Sequence, residues 1–164
     1  NVVLIVDGRR FHANKQILAN ASSYLESLFY DDVTSQENEF IIGDVSSDGF
    51  LLVLEMIYNV HLAVADESVE SILKTAAKLK LMGLLDRVEH HLIKDSELKT
   101  HVILQLTEQH NLLATRMYRL RNDIISLHHA RDIVRSASYP FYSLELKAMI
   151  LERIRYYEEE ELDQ

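Results

Sequence analysis

The order of apolar and polar residues changes period within the first thirty positions. Val2 to Val6 is an aliphatic, β-branched run, and Arg9 to Ala13 sets Phe11 between polar neighbours. Asp7-Gly8 lies between them, and Asp-Gly supplies the positive φ that a tight hairpin turn requires. The pattern predicts a hairpin with one buried face. Asn14 is then placed to cap a helix. Ile17, Leu18, Ala21, Tyr24, Leu25, Leu28 and Phe29 follow at helical spacing, with Ser22-Ser23 marking a bend between two short helices. Tyr30 to Glu39 reads as a polar loop whose one apolar residue is Val33. Phe40 to Ile42 reads as a short buried strand closed by Gly43.

Helical spacing then dominates. Ser46 to Asn59 is a helix capped by Ser46 or Ser47, with Phe50, Leu51, Val53, Leu54, Ile57 and Tyr58 on its apolar face. Val60 to Ala65 reads as a brief extended segment, a fourth candidate strand. A helix opened by Asp66 or Ser68 carries Ile72, Leu73, Ala76, Ala77 and Leu79. Gly83 interrupts, and Leu84, Leu85, Val88 and Leu92 form a further amphipathic helix. Beyond Ser96 the pattern predicts helices over 97–111, 114–125, 128–137 and 143–157. The clearest break is Ser136 to Pro140, because proline disfavours helix in the residue before it. Glu158 to Glu161 is expected to be a solvated, fraying acidic end. Short strands gathered in the first 65 residues, followed by helices alone, define an α+β layer with a helical annex.

Composition narrows the function. The chain has 164 residues, 48% of them apolar and 26% charged, as in soluble globular proteins. It has no cysteine, which removes disulfides, thiolate catalysis and cysteine zinc sites. Its net charge of −9 weighs against nucleic acid and anionic membranes as partners. No apolar run approaches the roughly 20 residues that span a bilayer, and no secretory leader opens the chain. The start on an already strand-like segment leads us to expect that further residues precede it.

Catalytic patterns are missing. His90-His91 and His128-His129 are adjacent pairs, and neighbours on a helix diverge by about 100°, which does not suit chelation of one ion. His101 and His110 lack a carboxylate at useful spacing. No serine sits in a nucleophile-elbow pattern and no glycine-rich phosphate loop occurs. The carboxylate clusters at 31–32 and 158–161 lie in solvated segments, without the burial that tunes a catalytic acid. Tyr156-Tyr157 is read as the amphipathic end of a helix, since the acids after it oppose base stacking. The reading is a non-enzyme with no catalytic, cofactor or metal site, and binding of other proteins is the remaining class.

A resemblance sharpens this. Ala13 to Phe29 resembles the BTB/POZ signature, A-H-K-x-x-L-A-x-x-S-x-x-F-x-x-x-F, through Ala13, Lys15, Leu18, Ala19, Ser22 and Phe29. Asn14 stands for the usual histidine and Leu25 for a phenylalanine. Gly43 to Tyr58 is similar to a second family block through Asp44, Val45, Phe50, Leu54, Ile57 and Tyr58, with Asn59-Val60 replacing the usual Thr-Gly. Val69 to Leu92 looks like the closing helix pair. Leu104 to Leu120 is similar to the helical extension of MATH–BTB and BTB–BACK proteins.

The resemblance implies a BTB/POZ domain over residues 1–94, a short-stranded sheet flanked by helices. A BACK-like helical extension would follow over 95–157, with an acidic tail over 158–164. It implies an intracellular, cytoplasmic or nuclear, interaction module, commonly a homodimer. Many members bridge the N-terminal region of cullin-3 in a ubiquitin ligase to a substrate held by another domain, here one outside the chain, such as a preceding MATH domain. Ile17, with Asn14 and Ala21, would form the dimer face. The cullin contact would use a hydrophobic-x-Glu motif after the Phe29 helix. Val33 takes the hydrophobic position, Ser35 stands where glutamate is usual, and Glu37 lies two residues further on. Tyr58 and the extension residues His110, Asn111 and Leu112 would complete that face. The alternative is a BTB self-association scaffold, transcriptional, chromatin or cytoskeletal, that ignores cullin; a channel-type module or another peptide receptor is a third.

Overall fold

The computed structural model describes every residue except Asp32, Ser35 and Gln164. The fold is α+β, and its packing divides into two units, Asn1–Val88 and Glu89–Gln164.

The first unit is built on a three-stranded sheet in the order β2-β1-β3 among the described residues. Strand β1 (Val2–Val6) turns through Asp7 (φ 50°) and Gly8 (φ 76°) into β2 (Arg9–Ala13). Two successive positive φ angles make the hairpin turn whose twist matches the strands. The register sets Leu4 opposite Phe11 and Val2 opposite Ala13, all buried. Strand β3 (Glu39–Ile42) joins β1 in parallel, and Phe40 and Ile42 face the same core. On the outer face, Arg10 on β2 reaches across β1 to Glu39 on β3 with two hydrogen bonds of 3.0 and 2.6 Å. Val60 to Ala65 does not form the fourth strand expected from its sequence. It follows the helix as a turn and an unpaired extended stretch.

Helices cover the inner face. Helix α1 (Lys15–Ala21) is capped by Asn14, whose side-chain oxygen accepts from the amides of Gln16 and Ile17 at 2.9 and 3.1 Å. Ser22 ends α1 and caps α2 (Ser23–Tyr30). Helix α3 (Ser47–Tyr58) is capped by Ser46 and buries Phe50, Val53 and Met56. Met56 takes the core place that spacing had given to Tyr58, which stands 49% exposed. A single 3-10 turn at Asp66–Ser68 leads into α4 (Val69–Lys78), which buries Ile72, Leu73 and Ala76. The break before α5 (Met82–Lys94) comes at Lys80 (φ 50°), not at Gly83, which sits inside the first turn of α5. There the Leu81 amide bonds to the Ala76 carbonyl and the Lys80 amide to that of Ala77, a left-handed helix stop with Leu81 folded into the core. Arg87 holds the chain after α3 by donating to the carbonyls of Met56 at 3.0 Å and Leu62 at 2.5 Å.

The second unit is helical: α6 (Thr100–Gln109), α7 (Leu113–Asn122), α8 (Leu127–Arg135) and α9 (Leu144–Leu162). Leu104, Leu120, Ile124, Ala130, Leu146 and Ile150 form its core. A 3-10 turn at Tyr139–Phe141, with Pro140 inside it, separates α8 from α9. Helix α9 does not end near 157. It runs through the acidic run to Leu162, where Arg155 pairs with Glu159 and Arg131 of α8 with Glu158. Neutralisation by those arginines offsets the unfavourable placing of acids at a helix C-terminus.

Polar contacts between elements stitch this unit together. Glu108 on α6 accepts from the amide and hydroxyl of Ser143 at 2.6 and 2.5 Å, and Ser143 caps α9. The buried Arg116 lies 3.5 Å from the same carboxylate. Tyr142 donates to the His101 carbonyl at 2.6 Å, and its burial pushes the phenol well above the usual tyrosine range.

Candidate functional site

The N-terminus of α1 is a junction. The Asn14 amide donates to the Tyr58 hydroxyl at 2.8 Å, fastening the end of α3 to the start of α1. The next residue, Lys15, reaches the Glu37 carbonyl at 3.5 Å, at the far end of the loop that follows α2. Asn14, Tyr58 and Glu37, which sequence reasoning had divided between two faces, therefore converge on one helix start. The Asn14 side chain is spent on capping, so its carboxamide oxygen already serves the chain's own amides.

The loop between α2 and β3 is held by short bonds. The Val33 amide donates to the Asp31 side chain at 3.0 Å, and the Thr34 amide to the Asp31 carbonyl at 3.1 Å. The Thr34 hydroxyl reaches back to the Leu28 carbonyl of α2 at 2.7 Å. The Glu37 amide donates to the Thr34 carbonyl at 2.9 Å. Within this frame the Val33 side chain is 86% exposed. An apolar side chain held out beside such hydrogen bonds is a feature that a partner's pocket can bury. Ser35, expected beside it, lies outside the described residues.

On the other side of α1, Ile17 is 39% exposed while Leu18 and Ala19 are buried. Ala21 is half-buried and borders a cavity of about 270 Å³ that Asn20, Met56, Ile57 and Leu84 also line.

In the second unit, His110, Asn111 and Leu112 form the turn from α6 to α7. Asn111 adopts φ 54°, and the Leu112 amide bonds back to the Thr107 carbonyl at 2.9 Å. This left-handed stop folds the residue after it onto the helix. Leu112 is accordingly buried, at 4% exposure, and cannot offer the contact surface expected of it. Leu113, 55% exposed, faces outward in its place. Asn is among the few residues besides glycine that tolerate this conformation, and that was the available signal.

Three histidines have separate side-chain partners. His101 contacts the Ser138 hydroxyl at 3.0 Å, His129 that of Ser126 at 3.1 Å, and His128 the Asp132 carboxylate at 3.2 Å. Among the described residues no group of three or more acidic or histidine side chains is placed to hold a metal ion. No helix among them is long and apolar enough to cross a membrane.

A small mixed sheet backed by helices thus carries exposed apolar side chains, Val33 and Ile17 among them. The BTB/POZ domain family model matches residues 1–96, and the chain belongs to that family. It is 31% identical over 129 residues to BTB and MATH domain-containing protein 36 of Caenorhabditis elegans, covering 77% of this chain and 38% of that protein. It is 30% identical over 95 residues to human Kelch repeat and BTB domain-containing protein 2, covering 57% of this chain and 15% of the relative. It is 33% identical over 87 residues to chicken (Gallus gallus) Zinc finger and BTB domain-containing protein 7A, covering 52% and 16%. The solved BTB domain of human gigaxonin aligns with a TM-score of 0.45 at 23% identity, covering 53% of this chain and 72% of that one. The chain thus spans less than two-fifths of the length of each of these sequence relatives.

Proposed function

We propose that this protein is a dimeric substrate adaptor for a cullin-3 RING ubiquitin ligase, acting inside the cell and without chemistry of its own. In this reading residues 1–94 are the BTB/POZ domain, 95–157 a BACK-like extension and 158–164 an acidic end. The substrate is held by a domain outside this chain. The observation that carries the reading is Val33, an apolar side chain 86% exposed on a loop tied down at Thr34 and Glu37. Tyr58, about half exposed, adds contact area. The dimer forms through the α1 face that carries Ile17 and Ala21.

Calorimetry tests it. The N-terminal region of cullin-3 titrated into the protein gives a Kd of micromolar or below. Val33→Glu weakens that by at least about tenfold, the cost of setting a charge against an apolar pocket. No heat from the unmodified protein at micromolar concentrations sinks the proposal.

A second reading has one specific observation in its favour. Serine stands at position 35, where the cullin-binding motif carries glutamate, and a lost charge-assisted hydrogen bond costs about 1.5–3 kcal/mol. The protein would then be a self-association scaffold. Retention of full-length protein by immobilised cullin-3 separates the two: the adaptor is retained and the scaffold is not.

A further inference from the structure

The Lys15 ammonium lies over three aromatic rings at once. Its Nζ is 5.2 Å from the centroid of Tyr30, 5.8 Å from Phe29 and 5.9 Å from Phe40. These rings come from the end of α2 and from β3, the two elements that bound the loop. Phe29 and Phe40 are buried and themselves meet at 5.1 Å, while Tyr30 is half exposed and its hydroxyl stands 3.5 Å from the Gln16 side chain. The ammonium also reaches the Glu37 carbonyl at 3.5 Å. A cation over ring faces is attracted by their negative π surface, and partial burial strengthens that attraction.

We infer that Lys15 is a positioning residue that clamps the loop from Asp31 to Asn38 at both of its ends. One end is Tyr30, directly before the loop. The other is Glu37, followed by Asn38, whose carbonyl accepts from Val3 of the sheet at 2.7 Å. Thr34 is the midpoint, tied to α2. With these three points held, the backbone of Val33 has few ways to withdraw its side chain. What the loop docks against rests on the adaptor reading; the clamp itself does not.

Amide hydrogen exchange on the whole chain tests the clamp without any partner. In Lys15→Met, which keeps the length of the side chain and removes the charge, the Thr34, Glu37 and Val3 amides exchange about tenfold faster. Amides elsewhere in the β1–β2 ladder keep their protection. Lys15→Arg restores the slow exchange, since a guanidinium also stacks on ring faces. Where Lys15→Met fails to fold, Tyr30→Leu, which opens the cage from its exposed side, gives a smaller acceleration confined to the same amides. Loop exchange unchanged in Lys15→Met, or in Tyr30→Leu where Lys15→Met does not fold, overturns the inference. A loop that loosens in a protein that never binds cullin upholds the clamp and defeats the adaptor reading instead.

Discussion

The Ser22 hydroxyl accepts from the Leu25 amide at 3.0 Å and donates to the Leu79 carbonyl at 2.5 Å, in a site 1% exposed to solvent. It starts α2 and ties that helix to the left-handed stop after α4. Ser22→Ala removes a helix cap, costing about 1 kcal/mol, and leaves a buried carbonyl unsatisfied, costing about 1–3 kcal/mol. Urea unfolding should therefore show a loss of about 2–4 kcal/mol with an unchanged m-value; a loss below 0.5 kcal/mol would contradict this account. The bend at Ser22-Ser23 was legible because serine favours caps. The Leu79 carbonyl, 57 positions away, was not.

At the scale of elements, α3 and α4 pack unusually close at one point. A Cβ built on Gly49 would stand 2.8 Å from the Thr75 hydroxyl and 2.9 Å from the Ser46 hydroxyl. That Ser46 oxygen is the one that caps α3 through the Gly49 amide at 3.1 Å. In an open helix, alanine would be better than glycine by about 1 kcal/mol. Here Gly49→Ala displaces the cap and forces the helices apart, so the expected outcome is a net destabilisation of about 1–2 kcal/mol, read as a fall in Tm. A rise in Tm would show that the α3–α4 contact relaxes freely. Helix phases along α2 and α4 could be read from spacing, yet α1 buries Ala19 and leaves Ile17 exposed, and α3 buries Met56 and frees Tyr58. Met56 and Tyr58 stand two positions apart, about 200° around the helix, and apolar character does not choose between them; the hydrogen bond from Asn14 to Tyr58 holds the tyrosine at the helix end.

For the molecule as a whole, the question is what covers Ile17, exposed on a helix whose next two residues, Leu18 and Ala19, are buried. If a second copy does, Ile17→Lys halves the mass seen by light scattering while leaving the unfolding transition of the isolated chain in place. A mass independent of the substitution and equal to one chain would remove the dimer from the proposal. Features that depend on near neighbours were legible along the chain. Asp7-Gly8 made the hairpin turn, Asn14 and Ser46 capped their helices, and apolar spacing assigned most helical faces, because each interaction spans only a few residues. Only the tertiary structure decided what joins distant positions: the parallel pairing of β1 with β3, the three rings around Lys15, and the inward Leu112 with the outward Leu113. Such contacts form when separate elements close on one another, and no period along the chain encodes them.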